Sequence, residues 1–298
     1  MISNLNLASK RLQPLAKSAI AINQAQQTRN MATLKETQLR LKSITNISKI
    51  TNSMKMIAST KTARAQRAME ASRQNGIIAA ETAKISQVQE SEDAKKLIII
   101  SSSDKGLCGG IHSSVSKFTR RRLADFPEEK VIIIGDKSKV QIQRVFPQNV
   151  LAHFNQVGRA VPSFEESCAI ASTILEDPEF KFDVADIVYN KFVSPISYEA
   201  QVLPSYDIGQ IVQAPNFSIY EVPDGVLENY NEFLFANNIH WAIVEGHASE
   251  MSAKRTAMDN ATNNAKDLIG KLTLVYNRGR QAVITNQLIE VITGASAL

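Results

Sequence analysis

The chain has 298 residues, 44% of them hydrophobic, and a net charge of +5, enough for one large or two ordinary domains with a real core. No apolar run approaches the roughly 18 residues that a membrane span needs, so any membrane association is expected to be indirect. The two cysteines, Cys108 and Cys168, show no CxxC or His-Cys spacing and are read as free, mostly buried thiols in a reducing compartment, with no metal site expected.

Charge is distributed unevenly. Residues 1–31 contain Lys10, Arg11, Lys17 and Arg29 and no acid, and residues 32–76 carry nine basic against two acidic residues, so the rest of the chain is net acidic. The first segment has the composition of a mitochondrial transit peptide, with Leu5, Ala8, Leu12, Leu15 and Ala19 on one helical face and the cations off it. The second has no aromatic residue among its cations and no nucleic-acid motif. It predicts an acidic protein surface nearby and no nucleic acid.

Residues 32–94 read as one long helix. There is no proline, only Gly76 interrupts, and Leu34, Leu41, Ile44, Ile47, Ile50, Met54 and Ile57 recur at helical spacing. Small residues follow, among them Ala58, Ala63, Ala65, Ala68 and Ala71. Lys49, Lys55, Lys61, Arg64, Arg67 and Arg73 are expected on the outer face.

Residues 95–225 change character. Leu97–Ser103, Val131–Gly135, Val150–Phe154 and Ala185–Val193 are β-rich, and Ile111–Asp125, Lys137–Phe146 and Phe164–Glu176 between them read as helices. Strands apolar on both faces and alternating with helices predict a parallel, βαβ-type sheet, with an edge strand or hairpin near Pro195 and Pro204.

Residues 226–298 contain no proline. Met251, Met258, Ala265, Leu272 and Gly279 form one seven-residue series, and Ala261, Leu268, Val275, Ala282 and Ile289 a second three residues further on. A seven-residue seam predicts a helical partner and a left-handed supercoil. A helix from Val226 to Thr293 would be roughly 100 Å long, beyond what a globular core accommodates. The fold class is therefore α/β: a long antiparallel coiled coil of N- and C-terminal helices with an inserted Rossmann-like α/β domain.

One run has the position of a chemical site. Ser101–Gly110 ends a strand and opens a helix, where α/β folds bind phosphate on backbone N–H groups. It matches neither GxxxxGK[ST] nor GxGxxG, and the four histidines show no triad spacing. A tight structural turn is the better reading, with a nucleotide-dependent enzyme as one alternative and a coiled-coil scaffold without rotation as another.

Three stretches carry a resemblance: LKSITNISKITNSMKMIASTKTARAQ (Leu41–Gln66), SSDKGLCGGIHSS (Ser102–Ser114), and Met258–Leu298 with its RGRQAVITNQLIEVITGASAL ending. They resemble the γ subunit of mitochondrial F-type ATP synthases. The resemblance implies a non-catalytic central rotor shaft, peripheral on the matrix side of the inner membrane, that couples proton-driven c-ring rotation to ATP synthesis on the β subunits. Partners would be three α and three β subunits, the δ and ε subunits and the c-ring, with no cofactor. It further implies that Met54 and Lys55 pass the acidic levers of the β subunits, and that Arg280 and Gln281 bond a β-subunit catch loop. Thr285, Glu290 and Val291 would lie inside the α/β collar, with Ile292, Ala295 and Leu298 turning in an apolar sleeve. Gln287 stands where that family usually has glutamate, and Ala253-Lys254-Arg255 replaces its Ala-Arg-Met.

Cleavage is expected near Arg29–Met31, giving a mature chain that begins close to Ala32. N-terminal sequencing of the native protein checks this, and an intact Met1 contradicts it.

Overall fold

The computed structural model describes residues 5–88, 94–217, 222–223 and 225–296, and of residues 5–33, 79–80 and 82–83 only the backbone. The transit peptide expected over residues 1–31 therefore falls on residues and side chains outside the described ones, as does Leu298. The chain divides into two compact units, one of Ser53–Asp259 and one of Met1–Asn52 with Asn260–Leu298. Both contain parts of two long helices, α1 (Leu5–Ser86) and α6 (Val226–Ser296).

In the Ser53–Asp259 unit the chain builds a five-stranded sheet in the order β3-β2-β1-β4-β5. The strands are β1 (Lys96–Ser101), β2 (Lys130–Ile134), β3 (Val150–Phe154), β4 (Val184–Phe192) and β5 (Tyr198–Tyr206), with helices α2 (Ile111–Asp125), α3 (Asp136–Gln143), α4 (Phe164–Glu176) and α5 (Ile208–Val212) between or after them. The first four strands pair in parallel, and β5 returns antiparallel on β4 as the expected edge strand.

Successive residues of β1 serve opposite faces. Leu97 and Ile99 pack with α4 residues Ile170 and Ile174, whereas Ile98 and Ile100 pack with Val115 and Leu123 of α2 and Ile142 of α3. Burial on both sides is why these strands read as unbroken apolar runs. Phe235, Ala236, Ile239, Ala242 and Ile243 of α6 belong to the first of these faces. The opening turns of α6 are thus a wall of the sheet's core, and they already touch α1, where Asn237 Nδ2 donates to the Asn75 carbonyl at 3.4 Å.

The seam of α1 with α6 in this unit uses small side chains. On α1 the buried positions are Ala58, Thr62, Ala65, Met69, Ser72 and Gly76, alternating by four and three residues. Ala65 and Met69 pack with Val244, Ala248 and Met251 of α6. Lys55 pairs with Asp259 at 2.7 Å and Arg73 with Glu245 at 2.7 Å, so α1 and α6 run antiparallel. These two cations turn inward, whereas Lys61, Arg64 and Arg67 are exposed as expected.

In the other unit Leu34, Thr37, Leu41, Ile44, Ser48 and Thr51 form the half-buried line of α1. On α6 Ala265 is buried and Leu272 and Gly279 are half-buried, as the first seven-residue series requires. The second series is displaced by one residue. Leu268, Val275 and Ile289 are 47%, 59% and 53% exposed, and the seam runs instead through Thr262, Ile269, Tyr276 and Val283. The sequence reading followed the larger apolar side chains, but position in the heptad decides burial. Thr262 sits inside because its Oγ1 donates to Thr51 Oγ1 at 2.8 Å. Ile47 and Ile50 of α1 are exposed for the same positional reason.

Gly76 is not an interruption but a requirement. A Cβ there would lie 2.3 Å from Cδ2 and 2.8 Å from Cγ of Trp241, and since Cγ is the root of the indole, the ring cannot swing clear. Gly270 has nothing within 4 Å of its would-be Cβ. Gly76→Ala should destabilise the chain by about 2 kcal/mol through overpacking, despite alanine's better helix propensity. Gly270→Ala should stabilise it by about 0.5–1 kcal/mol. Urea unfolding of both variants checks this, and equal signs contradict it.

Candidate functional site

The loop from Ser101 to Gly110 lies at the carboxyl end of β1, where parallel α/β sheets receive ligands. Here the loop's charged side chains are spent on neighbouring backbone groups of the chain itself. Asp104 Oδ1 accepts from the backbone N–H of Asp136, at the start of α3, at 2.8 Å, and its Oδ2 accepts from Gln156 N–H at 2.7 Å. Lys105 Nζ donates to the Gly158 and Arg159 carbonyls at 3.1 and 2.9 Å. Gly135 adopts φ 101°, and a Cβ there would lie 2.6 Å from Ser103 N. The two loops are pressed together, with no gap for a phosphate.

Helix α6 closes the rest of the crevice. Ser101, His112, Asn190, Gly246, His247 and Glu250 line a cavity of only about 20 Å³, the room of a single water and far below the roughly 300 Å³ of a nucleotide pocket. The large cavity of the domain, about 1160 Å³ and lined by Lys95, Lys96, Arg122, Glu129 and Asp186 among others, lies at the opposite, amino end of the strands. Its floor is an ion-paired cluster in which Arg122 donates to Glu129 at 2.8 and 2.9 Å and meets Asp186. It is a structural end of the sheet, on the wrong side for the ligand geometry of this fold.

Sequence spacing suggested no Cys–His pair, but the structure brings Cys108 Sγ to 3.0 Å from His112 Nε2, four residues on across the start of α2. The pair is nonetheless chemically quiet. Burial, with Glu250's negative charge adding, pushes the Cys108 thiol up to about 11, and burial pushes His112 down. A thiolate nucleophile needs the reverse. His247 is pushed down to about 4 by burial and by Lys105 and Lys61, so it too is neutral near pH 7. Among the described residues no group of three or more His, Cys, Asp or Glu is placed to hold a metal ion.

The implied contact residues lie elsewhere. In the Ser53–Asp259 unit Met54 is half-buried, and Lys55 is half-exposed with its ammonium on Asp259. In the other unit Arg280, Gln281, Thr285, Glu290, Val291, Ile292 and Ala295 are all exposed. Thr285 Oγ1 is tied back to the Gln281 carbonyl at 2.9 Å. From Arg280 to Ser296 only Val283 is even half-buried. Ile284, Leu288, Val291 and Ile292 recur at helical spacing, so this stretch presents an uncovered apolar stripe. No helix among the described residues is long and apolar enough to cross a membrane.

A family model described as ATP synthase matches residues 33–298. The mitochondrial ATP synthase subunit gamma of Yarrowia lipolytica is 47% identical over 276 residues, covering 91% of this chain and 94% of that one. The chain belongs to the ATP synthase gamma subunit family. The corresponding protein of Drosophila melanogaster is 43% identical over 96% of this chain and 97% of its own length, and the rat F(1) complex subunit gamma is 45% identical over 90% of this chain and all of its own. Among solved structures, the rotor of Euglena gracilis mitochondrial ATP synthase shares the fold with a TM-score of 0.72 at 18% identity, covering 85% of this chain and 99% of that one.

Cys108 should alkylate about 100-fold more slowly at pH 8 than an unperturbed thiol, because its thiolate fraction falls about tenfold for each unit of upward shift. Its rate should climb only as pH approaches 11. Peptide-level mass spectrometry after iodoacetamide checks this, and labelling at the rate of a free thiol contradicts it.

Proposed function

We propose that this chain is the rotor shaft of a mitochondrial F-type ATP synthase, coupling c-ring rotation to ATP synthesis on the β subunits without catalysing any step itself. The observation that carries the reading is the uncovered apolar stripe from Ile284 to Ile292 on a helix that the chain leaves without burial. An exposed apolar stripe of this kind marks an interaction surface. The gamma-subunit relatives and the rotor likeness say which protein that would be. On this reading the segments are a transit peptide (1–31), a shaft helix (32–94), an α/β foot (95–225) and a second shaft helix (226–298). The family match beginning at residue 33 supports the first boundary. The partners are three α and three β subunits around the helix end, the δ and ε subunits and the c-ring at the foot. The location is the matrix side of the mitochondrial inner membrane.

The exposed cations give the contacts their chemistry. Arg280, with Gln281 beside it, presents a planar donor fork to a β-subunit loop. Met54 and Lys55 pass the acidic levers, Lys55 already half neutralised by Asp259, so attraction there is moderate and slips as the shaft turns. Thr285, Glu290 and Val291 lie within the collar. Ile292, Ala295 and Leu298 offer no directional bond, as a bearing requires. Each proton crossing about 100 mV supplies about 2.3 kcal/mol, which the seam between the helices must carry without unwinding.

Co-purification of one copy with three α and three β subunits, and ATP-driven rotation of a bead on the foot, test the reading; assembly without rotation would leave only a scaffold. Within it, Arg280→Ala should lower coupled turnover by about tenfold or more, the scale of one lost charge-assisted hydrogen bond, with assembly intact. Wild-type torque and rate in the substituted complex would remove that assignment.

A further inference from the structure

Glu245 of α6 is fully buried, yet its carboxylate gathers donors from three separate parts of the Ser53–Asp259 unit. Oε1 accepts from Arg73 Nη2 of α1 at 2.7 Å and from the backbone N–H of Phe192, the last residue of β4, at 3.2 Å. Oε2 accepts from Trp241 Nε1, one turn back on α6, at 2.6 Å. Arg73 Nη2 also donates to the Phe192 carbonyl at 3.2 Å. The two long helices and the end of a central strand are thereby closed into one ring of hydrogen bonds. Trp241 wedges the joint from the side, in the space left by Gly76 and 6.0 Å from the Tyr189 ring. Two more bonds tie the same stretch of α6 to β4 and the turn after it: Ser249 Oγ to the Asn190 carbonyl at 3.0 Å, and Ser252 Oγ to the Pro195 carbonyl at 2.6 Å.

Stability alone does not account for this arrangement. Taking a charge pair out of water costs free energy that its attraction barely recovers, and apolar replacements of the same volume are often as stable. What the ring adds is direction. The neighbouring contacts of Ala65, Met69, Ala248 and Met251 are apolar; the hydrophobic attraction between them is non-directional, and small side chains interlock too shallowly to set an angle sharply. Hydrogen bonds that converge on one carboxylate from three elements lose length and alignment together when any element turns about its own axis.

We infer that Glu245, with Arg73 and Trp241, is a positioning device that fixes the rotational phase of the helix pair against the α/β sheet, the joint at which torque passes from one to the other. The inference rests on the shaft reading above. It assigns a mechanical role to residues that are none of the implied rotor–stator contacts, although Met54 and Lys55 lie on the same helix as Arg73.

The test uses the membrane-reconstituted complex with Glu245→Gln, which keeps the shape and removes the charge, and Trp241→Phe, which keeps most of the wedge and removes one donor. Three quantities are read: unloaded ATP hydrolysis, the angular variance of a bead on the α/β domain with the stator immobilised, and the proton gradient at which ATP-driven pumping stalls. Hydrolysis should stay within about twofold of wild type while the angular variance rises about twofold or more, as when one of several coupled bonds is removed. Pumping should stall at a lower gradient. Arg73→Lys, which keeps the charge but not the planar fork, should fall between wild type and Glu245→Gln. Unchanged variance and stall gradient in both variants overturn the inference, as does failure of both to assemble, which would make the ring a folding element. If Glu245→Gln alone fails to assemble, Trp241→Phe decides. A wild-type complex that assembles but does not rotate defeats the shaft reading instead, and the two failures are therefore distinct.

Discussion

Two helices from opposite ends of the chain must touch closely while a five-stranded sheet is made from the sequence between them. That constraint explains the composition of the seam. Ala58, Ala65 and Ala248 are almost wholly buried, and alanine lets backbones approach to a distance that leucine forbids. Gly76 is the extreme case, since only a residue without a side chain admits the Trp241 indole. A seam built from small residues contributes little hydrophobic free energy per turn. Polar links supplement it: Thr262 to Thr51 in one unit, Lys55 to Asp259 and Arg73 to Glu245 in the other. These also set register, which alanine packing alone leaves loose.

The α/β domain was legible almost strand by strand, because burial on both faces of a parallel sheet leaves apolar runs that nothing else in the chain imitates. Leu97–Ser103 and Val131–Gly135 became Lys96–Ser101 and Lys130–Ile134. The seam was legible in period but not in phase. Leu268 and Val275 are more apolar than Thr262 and Tyr276, yet they lie one residue off the line that faces α1. A heptad written from hydrophobicity alone has no means of knowing that a threonine will find a threonine opposite. Gly76 misled for a related reason, since a glycine within a helix looks like a weakness until the indole that needs its space is known. The ring around Glu245 was invisible, because its members lie more than 50 residues apart in three elements, save for the Trp241-to-Glu245 spacing of one turn.

The loop after β1 shows how the crevice at the carboxyl end of this sheet is closed. Gly135 has the positive φ that close approach to Ser102 and Ser103 demands. Asp104 supplies the anion from within, and α6 lies across the crevice with His247 and Glu250 turned inward. Burial drives the ionisable groups there toward their neutral forms: His112 and His247 are pushed down, Cys108 and Glu250 up. A site that bound and released a nucleotide would need room and charge, and both have been exchanged for rigidity.

The uncovered helix end follows from the same division of labour. A helix that must rotate within a stator cannot form the dense, interlocking packing that ordinarily buries an apolar stripe, since such packing has one preferred angle. Ile284, Leu288, Val291 and Ile292 are exposed apolar surface, which would let a surrounding wall exclude water without gripping. Arg280 and Gln281 precede them, where directional bonds would hold the shaft at particular angles and then let go. On the proposed reading, direction is absent at the apolar end, intermittent at Arg280, and permanent at Glu245, where it is shut away from water. Torque can pass only from a contact that releases to a joint that does not, and the order in which these three kinds of surface occur along α6 meets that condition.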